Sequence, residues 1–431
     1  MKPRLWLLVL SMGAASAAVQ SAAHSADAPL TLEAVLTHAA SPHPELAMAQ
    51  AQVDAAQAEI DLADSLNDFQ VSLEGALRTG RNEAFNHHFR ADHQAQLIAR
   101  KRLYDGERSA TRLGAAREEA EARSLQLMDA RAQRRVTLMA RYFDVLLADM
   151  QYNADTEFMA SAYVSWDNAK DRLAQGQIPQ WALTELEARY MESLSKRNDT
   201  RRKLREKRMQ LATAMNRPDM VQEDLIDPRL DGNKRVLPSY DALLAQVLAN
   251  NPRIKSQNQF LLAAQQRRES ARADYRPSLE LEGNASAWSR DTSTRDDLRV
   301  GLNFVLPLWQ GGRQDATIAK EQARITEIQS KHDALMLEVR ETLLSLWEEI
   351  DFLRNTERKS VDINAQYRNL ALDKARAEYE LELKTNLGTS MAETQVAKLK
   401  RRAVEYRLAL ALARLDALIG TPVAEEKKDK P

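Results

Sequence analysis

The chain has 431 residues, 44% of them hydrophobic, with 61 Lys and Arg set against 62 Asp and Glu. It has no cysteine, which excludes disulfides, thiolate metal sites, cysteine nucleophiles and lipid attached to an N-terminal cysteine. With 29% charged residues and only 13 Gly and 13 Pro, the composition is that of long helices with solvated faces, and it gives no support to a nucleic-acid partner.

Lys2 and Arg4 precede an apolar run over 5–10 and a small-residue stretch, Ala14-Ala15-Ser16-Ala17-Ala18, the pattern of a secretory signal peptide. It is assigned to 1–26, with the cut falling within 18–28, and the run is too short for a spanning helix, which needs ~20 apolar residues. No long uncharged apolar stretch follows, so any membrane contact of the mature chain calls for a closed barrel.

Self-comparison shows internal repetition. A shift of 208 lays Ala34 on Ala242, Pro44 on Pro252 and Leu73-Glu74-Gly75 on Leu281-Glu282-Gly283. A shift of 205 lays Leu103, Gly106 and Arg108 on Leu308, Gly311 and Arg313, and LATAMNRP (211–218) meets LDALIGTP (415–422) at 204. The chain therefore reads as a first repeat over 30–216, a linker over 217–238, a second repeat over 239–422 and a charged tail over 423–431.

Each repeat changes pattern in the same order. Helical composition follows Pro44 and Pro252, residues suited to a first helical turn. The period then becomes two. Val71, Leu73, Gly75 and Leu77 are followed by Phe89, Ala91, His93, Ala95 and Leu97 in repeat one. Leu279, Leu281, Gly283 and Ala285 are followed by Leu298, Val300, Leu302, Phe304 and Leu306 in repeat two. These are two β-hairpins, at about 68–103 and 277–309, with one apolar face each. Strands of ~10 residues with this alternation suit an outer-membrane barrel facing lipid; a soluble hairpin with one buried face has the same pattern. Four strands cannot close a barrel alone, so the membrane reading requires several chains.

Helical hairpins follow, at about 107–216 and 313–420. Residues 115–175 and 313–387 contain neither Gly nor Pro, which allows continuous helices of ~90 Å and ~110 Å. Their apolar residues step by three and four, from Leu125 through Val136 and Phe143 to Met150, and from Ile325 through Val339 and Ile350 to Leu353, as in coiled coils. GQIPQ (176–180) and LKTNLG (383–388) break the two hairpins. Thr184 with Glu187 and Ser390 with Glu393 read as capping boxes just past the breaks.

The signal peptide, the tandem units, His43-Pro44 and Asn251-Pro252 opening helices, LPLWQGGR (306–313) and the LIGTP close together resemble the TolC-type outer-membrane efflux proteins, including their heavy-metal and multidrug branches, over about 30–422. The first-repeat counterpart of LPLWQGGR is degenerate, with Arg102 where Pro307 stands. The resemblance implies a mainly α fold with a membrane β-barrel portion: a homotrimer whose 12-stranded β-barrel lies in outer-membrane lipid and continues as an α-helical barrel into the periplasm. It implies a passive exit duct for small molecules or metal cations, neither enzyme nor cofactor protein, driven by an inner-membrane pump through a periplasmic adaptor protein. The adaptor contact falls by similarity on Gly176, Gln177, Ile178 and Pro179, with Leu383, Lys384 and Thr385. Of the acidic aperture positions only Glu185 is matched, since Ala182, Gly388 and Met391 occupy the others. His87, His88 and His93 are weak metal candidates beside the reading as an exposed loop. Tyr104, Trp288 and Trp309 suit a membrane aromatic belt, and junction packing suits Tyr104 and Trp309 equally well. The basic run Arg201–Arg208 reads as a solvated helix face. The alternative from another class is a periplasmic coiled-coil structural or adaptor protein.

Overall fold

The computed structural model describes residues 29–39, 43–81, 88–219, 224–289, 295–381 and 387–420. The segment read as a signal peptide, 1–26, and the charged tail, 423–431, lie outside them. Repeat one contains α1 (Leu32–Thr37), α2 (Pro44–Ser65), β1 (Gln70–Ala76), the two-residue strands β2 (Thr79–Gly80) and β3 (Arg90–Ala91), β4 (Gln94–Tyr104), α3 (Arg108–Ala174) and α4 (Gln180–Ala214). Repeat two contains α5 (Tyr240–Asn250), α6 (Pro252–Ala273), β5 (Ser278–Trp288), β6 (Leu298–Val305), α7 (Arg313–Phe352), α8 (Arg358–Glu380) and α9 (Leu387–Ile419).

The duplication extends to local chemistry. Thr31 caps α1 through the Ala34 amide, and Ser239, 208 positions on, caps α5 through Ala242. His43 caps α2, with Pro44 in its first turn, as Asn251 caps α6, with Pro252 in its first turn. Where strand turns into long helix, Gly106 and Glu107 both adopt positive φ, as do Gly311 and Gly312. Glu107 is strained there, since an L side chain disfavours this region; Arg276 donates to the Gly106 carbonyl at 2.8 Å and to the Glu107 carboxylate at 2.7 Å and holds it in place.

The 67-residue α3 is unbroken, about 100 Å at the helical rise per residue. Its counterpart departs from the expectation of one continuous helix: a π-helical turn, Leu353–Glu357, separates α7 from α8, and α8 ends at Glu380. The expected capping boxes are also absent. Pro179 stands at the N-cap of α4, so Thr184 is already inside the helix, its hydroxyl donating back to the Gln180 carbonyl. Ser390 lies inside α9 and accepts the Thr394 hydroxyl through its carbonyl, while Glu393 pairs with Arg368.

Two cores form. One joins Leu138, Tyr142, Phe143, Leu204 and Leu211 of repeat one to Tyr406 of α9. The other joins Leu243, Val339, Leu343, Ile350 and Leu353 to Leu408, Leu412 and Leu415, also of α9. α9 therefore presents opposite faces to both repeats, and Phe143 stacks on Tyr406 with ring centroids 4.4 Å apart.

The inter-repeat segment runs as a strap over these helices. Leu225 pairs with Leu30 in a parallel bridge, and the Tyr142 hydroxyl donates to the carbonyls of Leu30 and Ile226. Tyr406 donates to Asp227 at 2.7 Å; Asn233 donates to Glu405 at 2.7 Å; Arg235 pairs with Asp416 at 2.8 Å. From the π turn, Arg354 donates to the carbonyls of Asn233 and Arg235. Burial pushes the Glu405 carboxyl up, but hydrogen bonds from Arg358 and Asn233 outweigh it and hold it below its ordinary value.

Gly106→Ala is expected to destabilise more than Gly311→Ala in thermal melts followed by circular dichroism. Both incur the positive-φ strain, about 1–2 kcal/mol, but only at Gly106 does the new methyl meet the Arg276 side chain, Gly311 facing open space. Because the Glu405 carboxyl titrates lower folded than unfolded, its stabilisation is complete above the ordinary glutamate value of 4.5 and is lost as pH falls through the folded one. Glu405→Gln is expected to cost about 2 kcal/mol at pH 7, with the gap to the parent protein closing in melts taken below pH 4.5.

Candidate functional site

Four strands form one antiparallel sheet in the order β1-β4-β5-β6. Its register collects the alternating apolar residues of these four strands on one face. Leu73 lies opposite Leu97, and Leu97 opposite Ala285, which faces Leu298; Val71 lies in the row of Ala99, Gly283 and Val300; Leu281 pairs with Leu302 and Leu279 with Phe304. The other face carries Ser72, Glu74, Gln96, Arg100, Glu280, Glu282 and Arg299, with Arg100 bonded to Glu282 at 2.9 Å. Ile98 is the buried apolar residue on this polar side.

The apolar face is bare: Leu73 is 78% exposed, Val300 69% and Phe304 65%. No helix packs on it, and both outer strands, β1 and β6, have a neighbour on one side only among the described residues. Below it, Trp309 is 84% exposed and Tyr104 51%, so at the junction these aromatics are open rather than packed. Trp288, near the far end of the sheet, lies 4.2 Å beneath Arg295, which also pairs with Asp92. No helix among the described residues is long and apolar enough to cross a membrane.

The opposite end of the molecule carries the helical-hairpin tip. Gly176 takes a positive φ and its amide bonds to the Leu173 carbonyl, while the Gln177 amide reaches Arg172, closing α3 before Pro179 opens α4. Gly176, Gln177 and Pro179 are exposed and Ile178 half-buried. Leu383, Lys384 and Thr385 lie outside the described residues. Sequence reasoning missed Trp181, 69% exposed in the first turn of α4. It also missed a cluster in which Trp166 stacks on Tyr190 at 5.2 Å, Tyr163 meets both edge-on and Lys170 covers Trp166. The three-residue spacing of Tyr163 and Trp166 was the available signal.

Glu185 sits on the exposed face of α4 and is ion-paired with Arg189 one turn on, so its charge is already answered within its own helix. His93 is structural: its Nδ1 accepts the Arg78 amide at 3.2 Å and its backbone exchanges bonds with Ser289. His88 is exposed, His87 lies outside the described residues, and no metal-ligating cluster of three occurs among those described. In the basic run, Arg202 and Lys203 pair with Asp199, and Lys207 with Asp144.

Residues 243–421 match the family described as outer membrane efflux protein. No curated protein sequence matches the chain. Solved structures similar to it include the outer membrane protein VceC of Vibrio cholerae, at 17% identity and TM-score 0.71 over 90% of this chain and 96% of that one. The CmeC outer membrane channel of Campylobacter jejuni gives 16% and 0.74 over 90% and 85%. The open MtrE outer membrane channel of Neisseria gonorrhoeae gives 17% and 0.69 over 90% and 88%. At these identities the likeness establishes the fold, that of the TolC-type channels.

Glu185→Gln is expected to shift the melting temperature by less than about 1 °C, because an exposed pair at this spacing contributes about 0.3–0.5 kcal/mol. Trp166→Ala, which removes the stack on Tyr190 and the seat of Lys170, is expected to lower it by several degrees in the same scans, a loss of about 2 kcal/mol.

Proposed function

We propose, for a chain whose second repeat matches the outer membrane efflux protein family and whose fold is that of the TolC-type channels, that it is the outer-membrane duct of a tripartite efflux system. In this reading the duct is passive, performs no chemistry, and carries small molecules or metal cations delivered by an inner-membrane pump through a periplasmic adaptor. The observation that carries it is the bare apolar face of the sheet together with its two open edges. A soluble domain, including the periplasmic structural or adaptor alternative, would bury that face; lipid solvates it. Unpaired edges in lipid cost several kcal/mol per backbone group, so three copies joining β1 to β6 in a 12-stranded barrel account for both features at once.

The helices support the same assembly. Ile363, Tyr367 and Leu370 form an exposed apolar stripe on α8, at the three-to-four residue spacing of a coiled-coil seam. Gly176, Gln177, Ile178 and Pro179, with Leu383, Lys384 and Thr385, are the proposed adaptor contact, and the exposed Trp181 joins them as the aromatic anchor of the tip. The pairing of Glu185 with Arg189 weakens an acidic aperture ring, because each acid arrives with its own counter-charge.

The expressed full-length protein is expected in the outer-membrane fraction, running as a heat-dissociable trimer on unheated gels of the detergent extract. A soluble periplasmic monomer would sink the duct reading.

A further inference from the structure

At the foot of the sheet's polar face, where both long helices begin, lies a cleft of about 520 Å³. Arg102, Ser278 and Glu280 reach it from that face, Arg108 and Arg112 from α3, and Arg313 from α7. Its five arginines, Arg276 included, exceed its three carboxylates, Asp105, Asp274 and Glu280. Three of the arginines are engaged: Arg102 with Asp105, Arg108 with Asp274 at 2.8 Å, and Arg276 with Glu107 at 2.7 Å. Arg112 and Arg313 have no carboxylate partner among the described residues. The amide ends of α3 and α7 add the positive ends of two long helix dipoles.

Gln314 forms part of the cleft floor. Gln314 is 3% exposed, and its Nε2 donates to the Ala271 carbonyl at 2.6 Å while its Oε1 has no partner. Two guanidinium forks without a carboxylate partner, lining one cleft, match a small tetrahedral oxyanion. A phosphate group has that chemistry.

We propose that this cleft binds phosphate-bearing anionic cargo in the lumen, with Arg112 and Arg313 as the selecting residues. The proposal rests on the duct reading, which turns the polar face of the sheet inward. Three copies then place six free arginines around the passage between barrel and helical tube, an arrangement that concentrates anions and repels free metal cations. It narrows the cargo from small molecules in general to anionic ones.

The test is equilibrium dialysis of labelled inorganic phosphate against the purified full-length protein, in nanodiscs of phosphatidylcholine and, separately, of phosphatidylglycerol. Saturable binding in both lipids is expected, weakened about tenfold or more in the Arg112→Gln/Arg313→Gln double variant, as loss of paired guanidinium forks implies. Arg112→Gln alone, on an exposed helical position away from the strand-to-helix turn, is expected to show part of the loss; unheated gels check that each variant keeps its assembly. Absence of saturable binding, or equal binding in parent and double variant, overturns the proposal and leaves the duct reading standing. Displacement of phosphate by phosphatidylglycerol overturns the lumenal assignment in favour of a lipid headgroup. Binding by a periplasmic monomer would refute the duct reading while keeping the arginines as an anion site.

Discussion

Backbone groups at the two edges of the sheet set the terms for the whole molecule. β4 and β5 are satisfied on both sides, but β1 and β6 each present an outer row of amides and carbonyls with no partner among the described residues. In water such edges invite pairing with other chains, and in hydrocarbon they are too costly to leave open. The bare apolar face adds the same pressure, since a contiguous patch of that kind marks an interaction surface. In the proposed assembly, edge-to-edge joining of copies resolves both and makes the sheet a fraction of a larger object. The helical wall beneath it would follow the same symmetry, with the exposed Ile363, Tyr367 and Leu370 of α8 facing a neighbouring copy.

The strap and α9 convert two similar halves into one body. Tyr406 and Leu408 stand two positions apart on α9, yet one belongs to the core of repeat one and the other to that of repeat two. The strap crosses at the same height, fixed by Tyr142, Tyr406 and Glu405, and meets the π turn through Arg354. Repeat one at this level is continuous helix with Tyr142 and Phe143 fully buried. A π turn widens the helix locally and is commonly found at functional positions. Here it lets Arg354 reach two carbonyls of the strap, and it shifts the register of α8 relative to α7.

Much of this was legible from residue order. The alternation of Val71, Leu73 and Gly75, and of Leu298 through Leu306, gave strand and face together, because a period of two leaves one choice of facing set. The matched Gly106 and Gly311 marked the positive-φ turns. What the alternation could not say is whether the apolar face is buried or bare; that depends on whether a helix covers it, a tertiary fact. The π turn was invisible because the apolar stripe through Ile350 and Leu353 runs on without a Gly or Pro, and the residues its Arg354 bonds lie more than a hundred positions away. The capping boxes failed because Pro179 starts α4 earlier than Thr184, and a Ser/Thr-x-x-Glu pattern inside a helix is indistinguishable from one at its start. Glu185 was readable after all: Arg189 stands at the spacing that pairs on a helix.

Duplication has also made the halves dependent on each other. Repeat two turns from strand to helix with Gly311 and Gly312, both tolerant of positive φ, whereas repeat one uses Gly106 and Glu107. A glutamate there is intrinsically unfavourable, and the group that holds it, Arg276, comes from the other repeat. The same arginine occupies the space into which a side chain at Gly106 would grow, so the turn of repeat one is shaped on both sides by repeat two. Asp105 caps the first turn of α3 through the Ser109 amide, where repeat two has Gln310 and no such bond among the described residues. Repeat one has thus exchanged backbone freedom for specific contacts across the repeat boundary. A turn secured in this way is rigid only once both repeats are folded, which ties the base of the sheet, the start of the longest helix and the arginine-lined cleft between them into a single cooperative unit.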